Sequence, residues 1–105
     1  MSEPVATLEL LGKSGEAPAF EVRVIIFPPV PSEPPSTFAC TVEVQPLQSR
    51  PFRIYGEGSL QALSLASKHA IQTLATFIEQ GGCLLYPEGE EFDPTTYGFR
   101  LLGEP

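Results

Sequence analysis

The chain has no tryptophan, one methionine, one histidine and two cysteines. Six lysines and arginines stand against thirteen aspartates and glutamates, for a formal net charge of −7. The shortage of positive charge argues against nucleic acid as a partner, because phosphate binding needs a cationic patch. An anionic membrane surface is disfavoured for the same reason. No apolar run approaches the ~20 residues needed to cross a bilayer. Glu3 stands where a secretory leader would carry basic residues, and no apolar core segment follows. The expectation is a cytoplasmic protein. In that compartment Cys40 and Cys83 read as two small apolar residues in strands rather than as a disulfide.

The single histidine limits the chemistry on offer. His69 is expected on the solvated side of a helix, beside Lys68 and Gln72, with no nucleophile or further ligand in reach. Ser64 and Ser67 flank Lys68, but neither has the Ser-x-x-Lys spacing of acyl-transfer enzymes. GEGS at residues 56–59 has too few glycines and no lysine for a phosphate loop. No catalytic residue, cofactor or metal site is expected.

What is present is a core. The 105 residues, 42% of them hydrophobic, suffice for one domain without staples. Val5–Leu11 alternates loosely and reads as a strand, followed by a turn at 13–18. FEVRVIIF (20–27) is the strongest strand signal. Phe20, Val22, Val24 and Ile26 share one face. Ile25 and Phe27 put apolar side chains on the other face, which implies either a cover or an exposed patch. PPVPSEPPS (28–36) has five prolines in nine residues and should stop the strand. It contains two P-x-x-P matches, yet its only charge is Glu33, so a stiff spacer is expected rather than a groove ligand. TFACTVEVQ (37–45) resumes the alternation, with Phe38, Cys40, Val42 and Val44 inward. It should pair with the previous strand as a hairpin. FRIY (52–55) is a short strand.

GSLQALSLASKHAIQTLATFIEQGG (58–82) reads as a long helix. Ser59 is the expected N-cap, and Gly81 or Gly82 the left-handed C-terminal cap. Leu60, Leu63, Ala70, Ile71, Leu74, Phe77 and Ile78 recur at three- and four-residue steps, with Ser67 inside the stripe. Six large apolar groups at ~1.5–3 kcal/mol each would give a gross burial term comparable to a domain's net stability. The stripe is therefore expected to be the protein's own core, with Leu65 pointing away from it. CLLY (83–86) follows as a strand, then an acidic turn region at 87–96. Tyr97–Leu102 is a possible last strand. The order β-β-β-β-α-β, with an optional further strand, predicts an α+β domain: an antiparallel sheet of four to six strands with one helix on one face.

Glu88, Glu90, Glu91 and Asp93 are four carboxylates within six residues. They lack the frame of a calcium loop. They read either as a solvated loop or as a contact patch for a cationic partner. With Ile25 and Phe27 they make up the expected protein-contact set.

PFRIYGEGSLQALSLASKHAIQTLATFIEQGG, with the CLL strand after it and FACTVEV before it, resembles an uncharacterised family of small bacterial proteins. In that family a strand ending P-[FY]-R-I-x-G passes into S-x-Q-A-L and a helix closed by Gly-Gly. The likeness covers residues 38–85, and Phe38 stands where many such sequences carry Trp. It implies a bacterial, cytoplasmic α+β domain and brings no catalytic residues. The functional expectation is a small non-catalytic protein-binding domain, such as an inhibitor or a toxin-neutralising immunity protein with a basic partner. The alternatives are a small ligand-binding or enzymatic domain and a structural homodimer.

Overall fold

The computed structural model describes residues 3–99. Among them are six strands and one long helix. β1 is Ala6–Ser14, β2 Phe20–Ile26, β3 Val30–Pro31, β4 Thr37–Gln45 and β5 Phe52–Glu57. Helix α1, Gly58–Glu79, precedes β6, Gly82–Leu85, and a single 3-10 turn at Pro94–Tyr97. All strand pairs are antiparallel, in the order β3-β4-β2-β1-β6, and β5 also pairs with β4. Phe38, Ala39 and Val42 are each paired on both sides, so β5 lies on the edge of β4 away from β2 and β3. The expected α+β layout is the one observed, with one strand more before the helix.

That extra strand comes from the proline segment. The ladder does not end at Ile26: the Phe27 amide donates to the Thr41 carbonyl, and Val30 and Pro31 face Ala39 and Phe38. Proline is tolerated in β3 because, among the described residues, nothing pairs beyond it, so its missing N–H leaves no gap. The segment is thus partly sheet, not only a spacer. At the other end of the chain, Tyr97 closes the 3-10 turn instead of opening a strand. Residues 100–102 of that expected strand lie outside the described residues.

The core lies between α1 and one face of the sheet. Leu10, Val22, Val24, Ile26, Cys40, Val42, Val44 and Leu84 supply the sheet side. The helix supplies Ala62, Ala66, Ala70, Ile71 and Leu74. This helix face differs in part from the one expected. Leu60 is 79% exposed, and Leu63, Phe77 and Ile78 are only half-buried flanks. The inner line is alanine at every fourth position, which lets the helix approach the sheet closely. Ser67 satisfies its hydroxyl within the helix by donating to the Leu63 carbonyl at 2.9 Å.

The helix also starts earlier than Ser59. Glu57 is its N-cap, with extended backbone and no side-chain cap. Gln61 closes the turn instead, its side-chain oxygen accepting the Glu57 amide at 2.6 Å. Gly58 has φ of +81°, a conformation glycine reaches without strain, and it reverses the chain from β5 into α1. A Cβ on Gly56 would lie 2.6 Å from the Ala62 amide nitrogen, so only glycine lets strand and helix meet there. At the C-terminus Gly81, φ +100°, takes the expected left-handed position.

Candidate functional site

The acidic segment is built as a short hairpin on the end of β6. The Tyr86 amide donates to Glu90 O at 2.7 Å, the Gly89 amide to Tyr86 O at 2.8 Å, and the Phe92 amide to Leu84 O at 2.9 Å. Phe92 is the anchor: it is 2% exposed, and its ring centroid lies 5.7 Å from Tyr86 and 5.8 Å from Tyr97. Glu88, Glu90 and Glu91 stay exposed on this fixed frame. Asp93 is exposed too, but its carboxylate accepts from Thr95 N at 3.0 Å and Thr95 Oγ1 at 2.7 Å. Those bonds favour its ionised form and pull its pKa below the usual aspartate value. Asp93 therefore caps the 3-10 turn.

Ile25 and Phe27 lie on the sheet face that the helix leaves uncovered. Both are half-buried, and neither joins the core. Ile25 sits between Thr7 and Glu43 on the neighbouring strands. Further along, Ala39 lies between Val30 and Tyr55. Ala39 is buried outside the core, while Val30 and Tyr55 are largely exposed. At the opposite edge Leu11 pairs with Leu85, and Leu85 bridges to Glu91. Directly opposed residues share a face, so Glu91 belongs to the same open face as Leu11 and Ile25. Glu91 thus shares a sheet face with Ile25, three strands away, while Glu88 and Glu90 extend the hairpin beyond it.

His69 is not the solvated histidine expected from the sequence. It is half-buried against the β4–β5 connection. Gln48 Nε2 lies 2.7 Å from His69 Nε2 and 3.4 Å from Thr73 Oγ1. Thr73 in turn donates to the His69 carbonyl at 2.9 Å. The tautomer of the imidazole sets which of the two groups donates in this contact. Phe52 covers the ring at a centroid distance of 4.5 Å. Burial lowers the His69 pKa, because the charged imidazolium is the poorly solvated form. Beside this cluster a cleft of about 540 Å³ runs between α1 and Pro46, Leu47 and Gln48. The sequence signal for it was a second helix stripe (His69, Gln72, Thr73, Thr76, Gln80), but nothing in the pattern said which loop would face it.

Both cysteines are free. Cys40 is buried, and its thiol donates to the Phe27 carbonyl at 3.1 Å. Burial pushes the Cys40 pKa up, so this thiol is held away from the reactive thiolate. Cys83 lies in strand β6, as expected, and is exposed there. Among the described residues, no three His, Cys, Asp or Glu side chains are grouped so as to hold a metal ion. No helix among them is long and apolar enough to cross a membrane. No family model, curated protein or solved structure matches the chain.

Proposed function

We propose that this is a non-catalytic protein-binding domain of the cytoplasm whose contact surface is the open sheet face with its acidic hairpin. The observation that carries this reading is that the two share one sheet face. Leu11, Leu85 and Glu91 form one row across β1, β6 and the hairpin, on the face that also presents Ile25. An open face that carries scattered apolar residues among charged ones, with carboxylates at its edge, fits a partner with small apolar patches and a basic rim. The rim charges would speed encounter and choose the partner, while the apolar residues would supply the affinity. A toxin-neutralising or inhibitory role is the form of binding this acidity suits best. Bacterial origin and membership of the family that residues 38–85 resemble belong to the same proposal, supported by the strand, glycine and helix motifs alone.

The test is a pull-down from the source cells at low and high salt, using the native protein and the Glu90→Lys/Glu91→Lys variant. A stoichiometric partner that is lost at high salt and lost by the variant supports the reading. A partner held equally by both proteins counts against the acidic rim. No partner, together with sedimentation as a dimer, replaces the reading with self-association through the same face.

A further inference from the structure

Strand β5 is bonded to β4 on one side only, and its other side is an open edge. The remaining margins of the sheet, among the described residues, are covered or short. β6 is backed by the return at 90–92, and β3 is two residues ending in proline. The part of β1 that β6 leaves unpaired lies beside Tyr97 and Phe99.

The direction of the main-chain groups along β5 follows from its neighbour. The Phe27 amide donates to the Thr41 carbonyl, and the Ser32 amide to the Thr37 carbonyl. The odd-numbered residues of β4 thus point their main-chain groups at β2 and β3, while Phe38, Cys40 and Val42 point theirs at β5. Their partners there are Gly56, Ile54 and Phe52. Arg53, Tyr55 and Glu57 therefore direct N–H and C=O outward. Glu57 is already served: Gln61 Oε1 accepts its amide, and as N-cap its carbonyl accepts the first helical bond. Arg53 and Tyr55 are exposed, and among the described residues nothing on that side meets their main-chain groups.

This edge is complementary to itself. Two copies can be set antiparallel with Ile54 opposite Ile54. Arg53 of each then faces Tyr55 of the other, and each pair exchanges both main-chain hydrogen bonds. Pro51, which has no N–H, falls opposite Glu57, whose main-chain groups are in use. On the open face the Arg53 guanidinium lies against the Tyr55 ring of the other copy and reaches its Glu57 on the diagonal. The neighbouring registers fit worse. Centring on Arg53 puts two guanidinium groups together and leaves the Tyr55 carbonyl facing Pro51. Centring on Tyr55 leaves Arg53 facing the occupied groups of Glu57. Any strand could add to a free edge, but this order of Pro51, Arg53, Tyr55 and Glu57 about Ile54 selects a second copy. The helices fit as well. α1 rests on β4 and β5 alike, so the two-fold axis sets the helices of the two copies about 10 Å apart, an ordinary packing distance. Leu65, four residues before the His69 that meets Phe52, is exposed on this flank and would be covered, as would Phe52 itself.

We propose that the chain forms a two-fold dimer through β5, continuing the sheet from one copy into the other. The dimer does not rest on the open-face reading, because it leaves both open faces on one side of the joined sheet. The edge is short, so association should be weak and rise with concentration.

The test is sedimentation equilibrium of the full-length protein over a hundredfold range of concentration at low salt. The mass should climb from 11.4 kDa toward twice that value. Arg53→Glu and Glu57→Arg each set like charges across the seam and should weaken association at least tenfold. An equimolar mixture of the two variants sets opposite charges together again and should recover it, which misfolded variants could not do. Ile25→Ser, on the open face away from the edge, should leave association unchanged, and amide exchange at Arg53 and Tyr55 should slow as the dimer forms. A mass that stays monomeric throughout overturns the proposal. So does association unchanged in the single variants, or a loss that mixing does not restore. A dimer lost in Ile25→Ser also overturns it, in favour of self-association through the open face. Capture of a basic partner by a chain that stays monomeric would sink the dimer and keep the open-face reading, so the two proposals fail separately.

Discussion

Two glycines decide whether this chain can close its layers, and they fail differently when substituted. A methyl group on Gly56 would collide with the backbone of Ala62, which cannot move without lifting the first turn of α1. A methyl group on Gly82 would enter the ring of Phe77, a half-buried side chain with some freedom to turn. Gly56→Ala should therefore lose about 1–3 kcal/mol and Gly82→Ala less, as read from urea midpoints at unchanged m-value. Equal losses would mean that β5 and α1 are not in contact at this point. At the same scale, His69 makes stability depend on pH. Its folded pKa lies below the ordinary 6.5, so the unfolded chain binds the proton more readily. The contribution is complete above the unfolded value and is lost as pH falls through the folded one. The melting temperature should drop between pH 7 and pH 5 by more in the native protein than in His69→Gln. Parallel profiles would place the ring in solvent.

At the level of elements, α1 is an amphipathic helix whose contact line is narrower than its apolar residues imply. Leu60 and Leu74 are both leucines on the same helix, but the structure assigns them opposite costs. Leu60→Gln at a largely exposed position should change stability by less than about 0.5 kcal/mol. Leu74→Ala, in the core, should cost about 2–5 kcal/mol. Thermal or urea unfolding of the pair fixes the rotation of the helix about its axis. The acidic hairpin depends on one residue in the same way. Phe92→Ala should cost about 3–5 kcal/mol and release the hairpin, seen as faster amide exchange at residues 86–92 than in the native protein.

For the whole molecule, the controlling fact is a two-layer fold with one covered face. A sheet needs only one face buried to be stable, and antiparallel sheets commonly leave the other to water. Here the open face carries Leu11, Ile25, Val30 and Tyr55 among its charged residues. Replacing Ile25 and Tyr55 together by Ser should leave the fold intact by far-ultraviolet circular dichroism and remove capture of the proposed protein partner. Retention of full capture would move the contact surface elsewhere. Net charge acts at this scale too: the Debye length is about 10 Å at 0.1 M salt, so the attraction proposed for a basic partner would be weakened above that concentration.

Much of this was legible in the chain itself. The strands at 20–27 and 37–45, the helix at 58–79 and its Gly81 stop are local matters, set by side-chain alternation, helical spacing and the conformational freedom of glycine. The two sides of β2 were readable for the same reason, since a strand's period is two. The first helical residue and the role of the proline segment were not. Gly58 opens the helix because β5 must turn back over the sheet, and Val30–Pro31 forms a strand because β4 offers it an edge. The lone histidine shows the division most sharply. Its neighbours along the helix are Lys68 and Gln72, which predict solvent, but its neighbours in space are Gln48 and Phe52, about twenty residues earlier in the chain. Local order follows from short-range sterics and pattern. Burial of one particular imidazole, and the cleft beside it, follow only from where a distant loop comes to rest.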